Sequence, residues 1–170
     1  MTQLILLRHG ETIENTKHIL QGLMPGNLTD NGKKQADEIG EKLKAYKGHI
    51  DSIICSDIKR CVDTADIVNH HLNLNITYSH LLRERDWGSA TGMIVDGTTR
   101  IRIPDDAETV DMMKKRANEF LDFVRNNHDG QCILAISHGL FCRCLQAVHK
   151  GVELADIERM YNGEIRELSL

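Results

Sequence analysis

Short unbroken apolar runs alternate with longer stretches of three- and four-residue periodicity, a pattern that predicts an α/β domain. Residues 3–7, 52–55, 75–78 and 132–136 read as strands of a mostly parallel sheet that helices cover on both faces. Residues 165–168 alternate apolar and polar positions and read as a half-exposed edge strand. A helix is predicted over 30–46, where Ala36, Ile39, Gly40 and Leu43 make one apolar stripe and Thr29 or Asp30 caps the start. Further helices are predicted over 60–71, 109–126 and 139–149, and a short helical pattern follows at 154–160. Residues 88–106 hold Gly88, Gly92, Gly97 and Pro104 with no stable period, so they read as a loop beside a site. No linker, repeat or low-complexity tract divides the 170 residues, which therefore read as one domain, 1–170, with a short covering segment around 88–108.

Composition narrows the function classes. Apolar residues at 41% and charged residues at 27% are ordinary for a globular chain. The net charge of −4 and the lack of a basic run argue against extended nucleic-acid binding. The first apolar run, residues 4–7, stops at Arg8, too short for a signal-peptide core or a membrane span, so a cytoplasmic protein without membrane contact is expected. Five cysteines, an odd set without a C-x-x-C pair, read as buried, reduced thiols.

Several catalytic signatures are absent. There is no G-x-x-x-x-G-K-[ST], no G-x-G-x-x-G, no H-E-x-x-H and no D-x-D pair. Cys55 precedes Arg60 by five positions, one short of a cysteine-phosphatase loop. The adjacent His70 and His71 would point to different faces of a helix, so no metal site is expected.

What remains lies at predicted strand ends. The first strand runs into Arg8-His9-Gly10, and the strand at 132–136 runs into Ser137-His138-Gly139. Ligands of open α/β sheets bind at that carboxyl edge. A lone histidine there is usually a core residue satisfied by backbone; the repeated His-Gly pair weakens that reading. Arg60 follows the strand at 52–55 and opens a helix, where the helix dipole disfavours a cation unless an anion sits beside it.

Together, RHGET with Asn15, LTDNGKKQA (28–36), SDIKRCVDTA (56–65), LLRERDWG (81–88) and SHG resemble, in order, the histidine phosphatase superfamily, the phosphoglycerate-mutase-like proteins. Five ordered motifs over most of the chain make the resemblance specific. It implies a three-layer α/β/α sandwich around a mainly parallel sheet, a covalent phosphohistidine intermediate and no cofactor. Carried over residue by residue, it makes His9 the nucleophile and Arg8, Arg60 and His138 the pocket for the transferred phosphoryl group. Glu84 matches the proton donor, and Asn15 the position whose amide helps hold phosphate.

The chemistry suits these residue types. An imidazole attacks phosphorus only through an unprotonated nitrogen, and nearby arginines disfavour imidazolium. Guanidinium groups fork onto phosphoryl oxygens, and His138 supplies a further donor where charge spreads. A carboxylic acid at Glu84 protonates the leaving alkoxide and then takes a proton from the attacking water. The expected substrate is a small phosphorylated metabolite, hydrolysed as a phosphomonoester. The alternatives are a phosphoglycerate mutase, a protein phosphohistidine phosphatase and a non-catalytic phosphate-binding protein. Mutases of the family usually carry a longer insertion after the proton donor. Only 54 positions separate Glu84 from His138, which favours hydrolysis.

Overall fold

Apolar side chains at every position of 4–7 leave neither face of that strand to water, and the fold covers both. The computed structural model describes residues 1–45, 49–98 and 102–170. Its elements in chain order are β1 (Gln3–Arg8), α1 (Ile13–Thr16), α2 (Asp30–Lys44), β2 (Ser52–Ser56), α3 (Lys59–Leu72), β3 (Ile76–Ser79), α4 (Val110–Asn127), β4 (Cys132–Ser137), α5 (Gly139–Lys150) and β5 (Ile165–Ser169). The sheet order is β3-β2-β4-β1-β5. The pairings β3-β2, β2-β4 and β4-β1 are parallel, and β5 runs antiparallel along β1.

The strand period of two sorts the core into two layers. Leu4, Leu6, Ile133 and Ala135 face α4 and α5, meeting Phe120, Leu121 and Phe141. Ile5, Leu7, Leu134 and Ile136 face α2 and α3, meeting Ala36, Leu43, Ala65 and Val68. This is the three-layer α/β/α arrangement expected. The stripe of α2 packs as predicted, and Thr29 caps it by accepting the Gly32 N–H at 2.9 Å. The predicted end of that helix at Tyr46 lies outside the described residues, as do positions 99–101 of the covering segment.

Three local expectations are corrected. The pattern at 154–160 yields only a 3₁₀ turn, Leu154–Asp156, because Ile157 turns to an extended backbone, and Arg143 donates to the Leu154 and Ile157 carbonyls there. The loop at 88–106 contains a 3₁₀ turn, Gly88–Ala90, and pairs main chain to main chain with residues 18–20 through Leu20 N to Met93 O at 2.8 Å and Val95 N to His18 O at 2.7 Å. All five cysteines are free, but Cys132 is half-buried rather than buried.

The β1–β4 register pairs Arg8 with Ser137, so the residues that follow both strands emerge side by side. The loop after β1 then packs hard against the start of α2. A Cβ on Gly10 would stand 2.4 Å from the Gly32 carbonyl oxygen, and one on Gly32 would stand 2.0 Å from the Glu11 carbonyl oxygen. Both glycines are required by close approach of backbone. Replacing Gly32 by Ala is expected to lower unfolding free energy by about 1–3 kcal/mol, since main chain must move to admit the methyl group. Urea denaturation measures this, and an unchanged midpoint would contradict the packing described.

Candidate active site

His9 leaves the carboxyl end of β1 and is 2% exposed. Its Nδ1 lies 2.8 Å from the Gly10 carbonyl oxygen, which only accepts, so Nδ1 carries the ring proton. The Arg60 Nε–H donates to His9 Nε2 at 3.2 Å, so Nε2 presents its lone pair. Burial, then Arg60, then Arg8 hold the ring well below the ordinary imidazole pKa. The ring is therefore a neutral base with a fixed tautomer. Gly10 is held in turn, since its N–H donates to Thr64 Oγ at 3.1 Å while that hydroxyl donates to the Arg60 carbonyl at 2.7 Å.

His138 follows β4, is fully buried, and lies edge-on to His9 with ring centroids 5.3 Å apart. Its Nε2 is 2.9 Å from Ser56 Oγ at the end of β2. Burial, then Arg60, lower its pKa well below the ordinary value, so it is neutral and keeps one N–H. The Cys61 thiol, pushed up by burial, donates to the Ser137 carbonyl at 3.4 Å beside it.

Arg60 sits in the first turn of α3 with 1% exposure. Its fork is largely taken by main chain, with Nη2 donating to Gly22 O at 2.8 Å and Nη1 to Met24 O. It thus offers the site a fixed charge more than a free fork. Arg8 Nη1 donates to Met160 O at 2.6 Å, while its buried Nε has no partner among the described residues. The Arg8 guanidinium lies over Gly139, where a Cβ would come within 3.0 Å of Cζ. Glu84 reaches the same edge from the segment after β3. Its carboxylate accepts the Leu140 N–H at 3.2 Å and the Phe141 N–H at 3.1 Å in the first turn of α5, and the Arg85 N–H at 2.9 Å. Asn15 Oδ1 accepts from Thr12 N at 3.1 Å and from Asn162 Nδ2 at 3.2 Å, so it caps α1 with its oxygen. The structure thus brings His9, His138, Arg8 and Arg60 to one edge, with Glu84 and Asn15 flanking them.

Sequence reasoning missed the residues that hold this set in place. Asn162 Nδ2 also donates to the His9 carbonyl at 3.0 Å. Arg116 of α4 donates to the Leu81, Arg83 and Glu84 carbonyls and pairs with Glu108 at 2.8 Å, its Cζ 4.0 Å above the Phe141 ring. Glu108 lies just before the helix predicted over 109–126 and Arg116 within it, and from sequence each reads as a solvated charge.

Both imidazoles carry lowered pKa values, so the unfolded chain binds more protons than the folded one once pH falls below about 6.5. Stability should therefore decline as pH drops through that value, as measured by urea midpoints across pH. His9→Gln should flatten part of that decline; an identical pH profile would contradict the neutral buried ring.

The chain matches the family model for histidine phosphatase superfamily, branch 1, over residues 4–170. It is 35% identical to the uncharacterized phosphatase PhoE of Bacillus subtilis, over 82% of this chain and 72% of that protein. It is 31% identical to the probable phosphoglycerate mutase GpmB of Citrobacter koseri, over 89% of this chain and 76% of that protein. Among solved structures it superposes on Bacillus stearothermophilus YhfR with a TM-score of 0.90 at 26% identity, covering 100% of this chain and 92% of that one. With motifs, sheet order and these likenesses in agreement, the chain belongs to the histidine phosphatase superfamily.

Proposed function

We propose that the protein is a metal-independent phosphomonoesterase that hydrolyses small phosphorylated metabolites through a phosphohistidine on His9. One observation carries the reading: a buried, neutral His9 whose unprotonated Nε2 meets the Arg60 Nε–H at 3.2 Å and whose ring lies beside a second imidazole, with Arg8 near enough to disfavour the cation. In the first step Nε2 bonds to phosphorus as the phosphorus–oxygen bond to the alcohol breaks, and Glu84 gives its proton to the departing oxygen. In the second, water attacks phosphorus and passes a proton to Glu84 as the phosphorus–nitrogen bond breaks. Arg8, Arg60 and the His138 N–H balance the charge on the equatorial oxygens, with Asn15 at the rim.

Glu84 and His9 argue against a phosphate-binding protein without chemistry, which needs neither acid nor nucleophile. A phosphoramidate leaving group needs less acid assistance than an alcohol, which sets phosphohistidine phosphatase activity lower. The GpmB likeness supports a second reading, in which the phosphoryl group returns to an organic hydroxyl. The free thiols suit a reducing cytoplasm.

Incubation with p-nitrophenyl phosphate and a panel of sugar and glycerate phosphates is expected to release inorganic phosphate without added metal. Interconversion of 2- and 3-phosphoglycerate with little phosphate released would favour the mutase reading instead. His9→Ala should abolish both turnover and acid-labile phosphoenzyme, and persistent activity would remove it as nucleophile. Glu84→Gln should slow alkyl phosphates about 10²–10⁴-fold and aryl phosphates much less, since phenolate leaves without a proton. Equal losses would take Glu84 out of the acid role.

A further inference from the structure

The two imidazoles at the sheet edge have opposite tasks. On the hydrolytic reading His9 offers a lone pair to phosphorus, whereas His138 offers an N–H to a phosphoryl oxygen. Both rings are neutral, and a neutral imidazole has one donor nitrogen and one acceptor nitrogen. Each ring therefore needs a neighbour that occupies the nitrogen not wanted. For His9 that neighbour is the Gly10 carbonyl, a pure acceptor, which takes the Nδ1 proton and leaves Nε2 bare. His138 meets a neighbour of the other kind.

Ser56 closes β2 and is fully buried, as is His138. Its Oγ lies 2.9 Å from His138 Nε2, and the same oxygen accepts the Ile58 N–H at 3.4 Å. With a main-chain N–H already directed at that oxygen, the hydroxyl proton has two acceptors in reach, Nε2 and the Cys61 sulfur. Sulfur accepts weakly, so the hydroxyl donates to Nε2. The reverse bond, from Nε2–H to Oγ, would leave a buried hydroxyl proton with only sulfur to receive it, which buried polar groups avoid. Cys61 does not compete as the donor either. Its Sγ stands 3.4 Å from both Nε2 and the Ser137 carbonyl, and its weakly donating proton goes to the carbonyl, since the hydroxyl already fills Nε2.

The ring proton of His138 thus resides on Nδ1. There its one partner among the described residues is the Cys61 sulfur at 3.8 Å, so a good donor in a fully buried ring is left almost unused. The His9 and His138 rings stand edge-on with centroids 5.3 Å apart, close enough for one phosphoryl group to meet both.

We propose that Ser56 is a positioning residue for phosphoryl transfer: by donating to His138 Nε2 it keeps the ring proton on Nδ1, as the hydrogen bond to a phosphoryl oxygen beside His9. The assignment rests on the hydrolytic reading for the role of that donor, and on the hydrogen-bond geometry for the tautomer. Without the hydroxyl, Nε2 loses its strong donor and the ring passes to the Nε2–H form that imidazole side chains favour in isolation. Nδ1 then presents a lone pair, which repels an oxyanion.

Nitrogen-15 NMR at mildly alkaline pH reads the tautomer, because protonated and bare imidazole nitrogens resonate far apart and only Nε2 couples strongly to both carbon-bound ring protons. Wild-type protein, with the His138 signals assigned by their loss in His138→Gln, should show Nδ1 protonated and Nε2 bare, before and after saturation with inorganic phosphate. A proton on Nε2 in either state would overturn the assignment, and this measurement needs no change at Ser56. In Ser56→Ala the Nδ1–H form should give way in large part to Nε2–H. Inorganic phosphate, followed by calorimetric titration, should bind that variant about threefold to tenfold more weakly, as for the loss of one neutral hydrogen bond. Cys61→Ala should keep the wild-type tautomer. An unchanged tautomer or phosphate Kd in folded Ser56→Ala, or a switch of tautomer in Cys61→Ala, would each overturn the role of Ser56. Phosphohistidine formation on His9 reports separately. Protein that holds the Nδ1–H tautomer yet never forms phosphohistidine keeps the Ser56 assignment and loses the hydrolytic reading.

Discussion

The hydrogen bond from His9 Nδ1–H to the Gly10 carbonyl settles which ring nitrogen is unprotonated, and the surrounding structure serves to keep it so. A solvent-exposed imidazole would be shared between tautomers and would protonate near neutrality. Here burial and two guanidiniums exclude the cation, while the carbonyl acceptor excludes the wrong tautomer. The Gly10–Glu11 peptide that carries this acceptor is held by the Glu11 N–H donating to Gln35 Oε1 at 2.9 Å, and the peptide before it by the Gly10 N–H donating to Thr64 Oγ. Desolvation is the larger contribution, which means the dry setting at the sheet edge matters as much as the neighbouring charges.

That setting follows from strand pairing. Parallel β1 and β4 in register deliver two histidines to one edge, and β2 delivers Ser56 and, in the first turn of α3, Arg60. Close backbone approach at Gly10 and Gly32 then seats the first loop against α2. Glu84 arrives differently, on an irregular segment held from behind by Arg116 and Glu108 and from in front by the first N–H groups of α5. His9 is thus fixed by the sheet, whereas the Glu84 carboxylate is fixed by main-chain N–H groups of α5 and its segment by Arg116 of α4.

Strand positions and the α/β class were legible because runs such as 4–7 and 133–136 are apolar throughout, and no other element buries such a run on both sides. Both His-Gly pairs were legible because each directly follows one of those runs. The pattern at 154–160 stops after one 3₁₀ turn since periodicity does not show that Ile157 is extended, with its carbonyl and that of Leu154 turned toward Arg143. Arg116, Glu108 and Asn162 were invisible for a related reason: they act on main-chain atoms of distant segments, and a charged or amide residue leaves no pattern that names a far-off carbonyl. The roles of Arg60 could be read only in part. Its position was plain, but the capture of its fork by Gly22 and Met24 depends on a loop whose path no periodicity encodes.

The interior placement of β1 carries a consequence for biosynthesis. Its two neighbours in the sheet are β4 and β5, and Gln3 pairs with Cys132 on one side and Ser169 on the other. A nascent chain emerging from the ribosome therefore displays an apolar first strand with no native partner until more than a hundred further residues have been made. The apolar segment 4–7 must be shielded during that interval, by transient collapse or by chaperones, because such contacts between distant parts of a chain form slowly. The edge that holds His9 and His138 is then completed late and all at once, when β4 slots in beside β1.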